Sequence, residues 1–452
     1  MPFFANSNHR SVHDRTLGPV VSHCHLPHPH DRIAATLEVP FFRRAQTTGK
    51  MFPVRQAAVP IHQGRSALSG FVLSGLLLSF LGAILPSWGY HVTTDFRTVG
   101  NYFLCVNLGL LLSVRAAQLL APSRGIKFVL LIACGMVSAA FLWLAYSPPP
   151  APVWWRFLGL LALGLGAGLL NSAVFLAITP LYEHDRAATV NLAGTFFGMG
   201  CLITALLVAG TYYVYTVPAI LILFATIAGF FALLFARSKF SVAPALIQIP
   251  VREILGDFTN PGAVLFALLL FFQFGNEWSV AGWLPLFLIR RLGISPEASL
   301  VLLGLYFAAL LVGRIGAQVL MKRTKHSSLL MSSLVSAMLG SIILASTTNR
   351  FGALMGVLFV GLGFAAVYPL VVEKISGRFP YYHPGFYNGI FSLAFTGGLL
   401  APATLGYLAD SWGIQAIFIV PLVGTIVVFL LSLLILLEAK LTGSGEVRRA
   451  RA

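Results

Sequence analysis

Of the fourteen acidic residues in the 452-residue chain, Glu277 is the one that falls well inside a long apolar run. A charged group at the centre of a membrane-spanning helix costs about 2.5 to 3.5 kcal/mol even on the mild insertion scale, so such residues usually face a polar cavity and serve a purpose. A carboxylate there can exchange a proton as its exposure alternates between two faces. It can also gather a sodium ion with Asn276 and backbone carbonyls, or accept hydrogen bonds from solute hydroxyls. The plainer alternative is a structural Glu satisfied by neighbouring helices. The surrounding residues run Gln273-Phe274-Gly275-Asn276-Glu277-Trp278-Ser279-Val280-Ala281-Gly282-Trp283-Leu284-Pro285. Helical periodicity puts Gln273, Asn276 and Glu277 on one face, with Trp283 two turns beyond Asn276 on the same side. Two amides, a carboxylate and an indole suit a polyhydroxylated ligand whose C–H face stacks while its hydroxyls are bonded. Gly282 and Pro285 loosen this helix toward its end, where a gate is expected. Trp283 can equally be read as a residue of the interfacial aromatic belt.

Further candidates are the intramembrane amides Asn107, Asn171, Asn191 and Asn388, together with Tyr368. Asn171, Asn191, Asn388 and Tyr368 join Gln273, Asn276 and Trp283 as the solute-binding set, although interhelical packing is the favoured role for Asn191 and Asn388. Arg115 and Arg314 each precede an Ala-Gln pair near the end of a span. Snorkelling explains them simply, and a latch between two halves is the alternative. The cluster His23-Cys24-His25 with His28 and His30 carries ligand types for a soft metal, but no spacing fixes a geometry, so no metal and no cofactor is expected. Cys24, Cys105, Cys134 and Cys201 show no paired spacing.

These residues sit in a chain that is 57% hydrophobic and only 10% charged, with a mean hydropathy of +0.85. About a quarter of the residues of a soluble domain are charged, so lipid must cover most of this chain. Runs of about 20 apolar residues, the length that spans a bilayer core, recur twelve times. They cover 66–88, 99–120, 126–146, 154–178, 188–210 and 214–236, then 262–288, 298–321, 328–347, 352–374, 387–409 and 412–437. The formal charge of +16 lies in the tails and short gaps, which argues against nucleic acid as a partner. With the amino terminus in the cytoplasm, 24 Lys and Arg are cytoplasmic and five are outside: Arg97, Arg156, Arg290, Arg291 and Arg350. The positive-inside bias therefore places both termini in the cytoplasm, with a plasma membrane as the default location, the inner membrane in a bacterium. Residues 1–65 read as a polar, His-rich, disordered tail without a signal peptide, 237–261 as a cytoplasmic linker and 438–452 as a basic cytoplasmic tail.

The two sets of six spans, 66–236 and 262–437, match each other. At an offset of 197, Gly159, Gly164, Leu165 and Gly166 fall on Gly356, Gly361, Leu362 and Gly363, and Asn191 and Gly200 fall on Asn388 and Gly397. Ala117-Gln118 and Leu120 recur as Ala317-Gln318 and Leu320, and Leu85-Pro86 as Leu284-Pro285. The fold class expected is an all-α membrane protein of twelve transmembrane helices in two pseudo-symmetric six-helix bundles, with a site near the midplane.

From 66 to 437 the chain resembles the major facilitator superfamily, and most of all its fucose and glucose type of sugar:cation symporters. The resemblance rests on Leu81-Gly82 to Pro86, Gly164-Leu165-Gly166 with Asn171, Gly275-x-Glu277 to Trp283, Gly313-Arg314, and Gly397-Gly398 with Pro402 and Gly406. It implies a secondary active transporter that moves a small polar solute, a sugar or related metabolite, by alternating access coupled to a proton or sodium gradient. A monomer in the lipid bilayer is expected. The fucose branch carries acids on its first and fourth helices. Here the first has none and Asn171 stands at roughly the place in the fourth, leaving Glu277 as the coupling carboxylate. An exporter of amphipathic compounds is the second transport reading, suited by the 36 Phe residues and sparse buried charge. A sensor that moves no solute is the third. An enzyme is not expected, because Glu183-His184-Asp185-Arg186 is the nearest approach to convergent loop chemistry and it has no partner nucleophile.

Overall fold

The structure, a computed structural model, describes residues 61–93, 95–148, 151–184, 186–240, 260–321, 323–379 and 384–449. Among the described residues all regular structure is helical. The elements are α1 (Ile61–Ile84), α2 (Phe96–Arg124), α3 (Ile126–Ala145), α4 (Val153–His184), α5 (Arg186–Thr211), α6 (Val217–Arg237), α7 (Pro261–Leu292), α8 (Pro296–Met321), α9 (His326–Ser346), α10 (Arg350–Ala365), α11 (Val367–Arg378), α12 (Pro384–Trp412) and α13 (Ala416–Arg449). Twelve spans are long and apolar enough to cross a membrane, and α10 and α11 form one of them. Their limits agree with the expected ones to within a few residues. The His-rich cluster and most of the linker at 237–261 lie outside the described residues. The helix of the last span does not stop near 437. α13 continues to Arg449, so the expected carboxy-terminal tail begins as helix.

Helix ends carry sequence-encoded stops. Asp95 accepts from the Thr98 N–H at 3.0 Å ahead of α2, and Asn260 accepts from the Gly262 N–H at 2.9 Å, with Pro261 opening α7. Gly293 closes α7 in the left-handed region, at φ 61°. The break at Ala366 between α10 and α11 follows from Pro369, which lacks an N–H and whose ring crowds the carbonyl of Ala365 four residues back.

The duplication is legible in the helix contacts. A Cβ on Gly164 would strike Val106 of α2, and one on Gly361 would strike Ala309 of α8. Gly166 and Gly363 are pressed in the same way by Val137 of α3 and Ala337 of α9, and Gly200 and Gly397 by backbone of α1 and α7. The glycines matched at an offset of 197 therefore perform matching close approaches in the two bundles, where small residues let backbones meet. Leu104, Leu108, Leu112, Phe230, Leu233 and Val423 lie on the outer, exposed surface, as a lipid-covered bundle requires.

Arg156, counted among the outside basic residues, lies buried in the first turn of α4. It is 5% exposed, and its Nε donates to the Tyr102 hydroxyl at 2.7 Å, which in turn shares a hydrogen bond of 2.7 Å with Tyr90.

Candidate functional site

The halves meet along α1, α2, α5, α7, α8 and α12. Between them lie two adjacent cavities. The first, of about 40 Å³, is lined by Leu77, Phe80 and Leu81 of α1, Phe103 and Asn107 of α2, Trp278, Ala281 and Gly282 of α7, and Phe395, Gly398 and Pro402 of α12, among others. The second, of about 20 Å³, is lined by Phe197 and Cys201 of α5, Glu277, Trp278 and Ala281 of α7, and Phe307 and Arg314 of α8. Small-molecule pockets are commonly about 300 to 1,000 Å³, so neither cavity holds a whole solute in this conformation.

Glu277 and Arg314 form the charged centre. Arg314 Nη2 donates to Glu277 Oε1 at 3.0 Å, with side chains 11% and 17% exposed for Arg314 and Glu277, and Nη1 donates to the Gly194 carbonyl on α5 at 2.8 Å. The Tyr306 hydroxyl donates to the backbone carbonyl of Glu277 at 3.2 Å. One guanidinium thus joins the intramembrane carboxylate to the opposite bundle. Pairing is the ordinary condition for an ion held in a span.

The central cavity is mostly apolar, and its polar groups are few. Asn107 donates from its amide to the Leu399 carbonyl across the interface. The Trp278 indole N–H makes no hydrogen bond among the described residues. Pro285 and Pro402 lack the N–H that would bond the carbonyls of Ala281 and Gly398 four residues back.

The predicted residues divide. Glu277 and Arg314 meet at the second cavity, which corrects the expectation that Arg314 acts from a helix end. Arg115 is exposed and bonds Gln118 of its own helix at 3.1 Å, so it does not bridge the halves in this conformation. Of the predicted solute-binding residues whose side chains are described, none lines either cavity. Trp283 is fully buried; its indole donates to the Pro402 carbonyl at 2.9 Å and packs on Phe103, so it is neither a belt residue nor a cavity wall. Asn276 faces α13, where its amide donates to Thr425 Oγ1 at 3.4 Å. Gln273 is fully buried, with neither amide atom partnered among the described residues. Asn171 accepts from Ser74 at 3.0 Å within the first bundle, and Asn191 is buried with its Oδ1 unpartnered among the described residues. Tyr368 packs edge-on against Phe274, with ring centroids 5.1 Å apart. The side chain of Asn388 lies outside the described residues.

What the solute-binding expectation missed is Trp278. At 3.6 residues per turn it lies about 140° around α7 from Trp283, so the aromatic stripe chosen from periodicity was the one facing away from the cavities. Glu277, with Ala281 one turn on, is the marker that could have oriented the helix.

On the face away from the two ends of the described chain, the bundles are joined by several contacts. Arg97 pairs with Asp410 at 2.9 Å, Tyr407 donates to Asn101, Arg290 donates to the His91 carbonyl at 3.3 Å, and Tyr213 donates to Glu297 at 2.7 Å. Gly100 and Gly406 meet backbone to backbone beside them.

Two six-helix bundles that meet around two small cavities, joined along one face and bridged by a guanidinium that also pairs with an intramembrane carboxylate, form the architecture of a two-bundle membrane transporter. The chain belongs to the Major Facilitator Superfamily, whose family model matches residues 67–402. It is 23% identical to an uncharacterized MFS-type transporter of Yersinia pestis, over 80% of this chain and 94% of that one. Its fold is similar to that of the nucleoside transporter NupG, at a TM-score of 0.64 and 14% identity over 82% of this chain and 99% of that one. It is also similar to that of the Escherichia coli fucose:proton symporter FucP, at 0.58 and 16% over 83% and 98%. The chain is a multi-pass membrane transporter and not an enzyme.

Proposed function

We propose that the chain is a proton-coupled symporter for a small uncharged solute with an apolar ring face and a few hydroxyls, a sugar or a related metabolite. The observation that carries this reading is the Glu277–Arg314 pair beside the central cavity, with Arg314 also bonded to the opposite bundle at Gly194. Protonating Glu277 removes the charge that holds Arg314, so ion binding and bundle contact share one side chain. The aromatic walls fit a ring face, and Asn107 and the Trp278 N–H fit hydroxyls. The fucose and nucleoside transporters whose folds are similar act on ring compounds of this kind. Sodium has less support, because Arg314 occupies the carboxylate that a sodium ion would need. The excess of basic residues in the terminal and even-numbered gaps supports both termini in the cytoplasm; a plasma membrane and a monomeric working unit complete the proposal.

The mainly apolar lining favours one second reading, export of amphipathic compounds. Reconstituted vesicles with an imposed inward proton or sodium gradient, offered sugars, polyols and nucleosides, decide between the two. The symport reading expects accumulation of one such solute under the proton gradient. Extrusion of a lipophilic cation with no accumulation of any polar solute favours the exporter.

A further inference from the structure

Trp278 separates the two cavities, and its place in the structure suggests what it does. It follows Glu277 directly in α7 and lines both cavities, with Ala281 one turn along beneath it. On one side its ring meets Phe197 of α5 edge-on, centroids 5.8 Å apart and planes 79° apart, so it is braced against the opposite bundle. On the other side lies Gly398 of α12, where an added methyl would sit 2.7 Å from the indole Cδ1. Gly398 therefore leaves the room that lets the ring stand between the cavities. Neither cavity admits more than a few waters while the ring stands there, at about 40 and 20 Å³. A solute that fills the central cavity meets this ring, and on the ring's other side is the cavity lined by Glu277 and Arg314.

We infer that Trp278 is the shutter through which solute in the central cavity controls access to the Glu277–Arg314 pair, an inference that rests on the coupling role of Glu277. With the ring in place, Glu277 is faced by Arg314 and Tyr306 of α8 and Cys201 of α5, and the ring closes the side toward the central cavity. With the ring displaced by solute, the two cavities join and the carboxylate gains a path to water. Proton exchange is thereby tied to the presence of solute, which prevents a leak in its absence. Because the indole N–H is unbonded among the described residues, a solute oxygen that accepts from it also fixes the ring in the displaced position.

The test needs no knowledge of the solute. Full-length protein is reconstituted in vesicles loaded with a pH-sensitive dye, and proton entry driven by a potassium diffusion potential is recorded with no solute present. A shutter open in about 10% of molecules or fewer leaves room for a roughly tenfold rise, which is expected of W278A. The double variant E277Q/W278A is expected to return the leak to the wild-type level. An unchanged leak in W278A, or a raised leak that E277Q does not suppress, overturns the shutter and leaves the role of Glu277 to be judged by uptake alone. Dicyclohexylcarbodiimide, which reacts with membrane-embedded carboxyls, gives a second measurement on the same samples. Labelling of Glu277 read by mass spectrometry is expected to rise in W278A, and labelling equal to wild type contradicts the proposal.

Discussion

Arg314 reaches from α8 to the carboxylate of Glu277 on α7 at 3.0 Å, and with its second terminal nitrogen to the Gly194 carbonyl on α5 at 2.8 Å. The first bond lies within the carboxy-terminal bundle and the second crosses to the other one. A change in charge at Glu277 is therefore felt at the bundle interface through one side chain, because the same planar guanidinium makes both bonds.

Stability separates the pair from its parts. Removing one member of a buried pair typically costs about 3 to 5 kcal/mol, whereas replacing both with apolar residues of similar volume is often neutral. E277L and R314M are each expected to lower the melting temperature of the purified protein, and E277L/R314M to recover most of the loss. A double variant as unstable as the sum of the two singles contradicts the pairing.

The two tryptophans of α7 are expected to behave differently. W283F leaves the Pro402 carbonyl without its indole donor and should cost about 1 to 3 kcal/mol of stability, with solute affinity little changed. W278F should leave the melting temperature near wild type and weaken solute binding. Melting curves and equilibrium binding of the solute found by the vesicle panel check both, and the reversed pattern would restore Trp283 to the site.

Arg156 supplies a third expectation. Its Nε is held by Tyr102, and Tyr102 also bonds Tyr90. Burial raises the Tyr90 hydroxyl above its ordinary range, so it stays protonated at neutral pH as a donor or acceptor. Y102F strips a partner from both neighbours and should destabilise by about 1 to 3 kcal/mol, more than Y90F, which strips a partner from one. Equal melting temperatures for Y102F and Y90F contradict this.

The joined face is expected to control opening. The Arg97–Asp410 pair is exposed by 63% and 30%, so it contributes at most about 1 kcal/mol, and R97A should shift the population only modestly. The Gly100–Gly406 contact is steric and offers no such latitude: a side chain on Gly406 meets the Gly100 backbone. G406L is expected to hold this face apart. Distances between spin labels on α2 and α12 should lengthen clearly in G406L and slightly in R97A, and an unchanged distance in G406L contradicts the assignment.

The twelve spans and the duplication were legible because lipid imposes apolar length on every span and close helix approach imposes glycine, and both leave local marks. Gly164 and Gly361 could be paired by position alone. The site was legible only in part. Glu277 stood out because an intramembrane acid is costly, whereas Arg314 reads as a snorkelling or latching residue near a span end, so its pairing with Glu277 was not legible. The solute wall was not legible, since periodicity sorts residues onto faces without saying which face looks inward. Asn276 and Trp283 do share a face, and that face packs against α13, α12 and α2. Trp278 lay on the other side, and grouping its neighbour Glu277 with Asn276 leaves the helix without an orienting marker.

The most direct measurement compares two modes of transport in wild type and E277Q: uptake under an inward proton gradient, and exchange of labelled for unlabelled solute with no gradient. If Glu277 couples the proton to the solute, E277Q retains exchange while its uptake plateau falls to the level reached without a gradient. An E277Q protein that accumulates solute to the wild-type plateau contradicts the account.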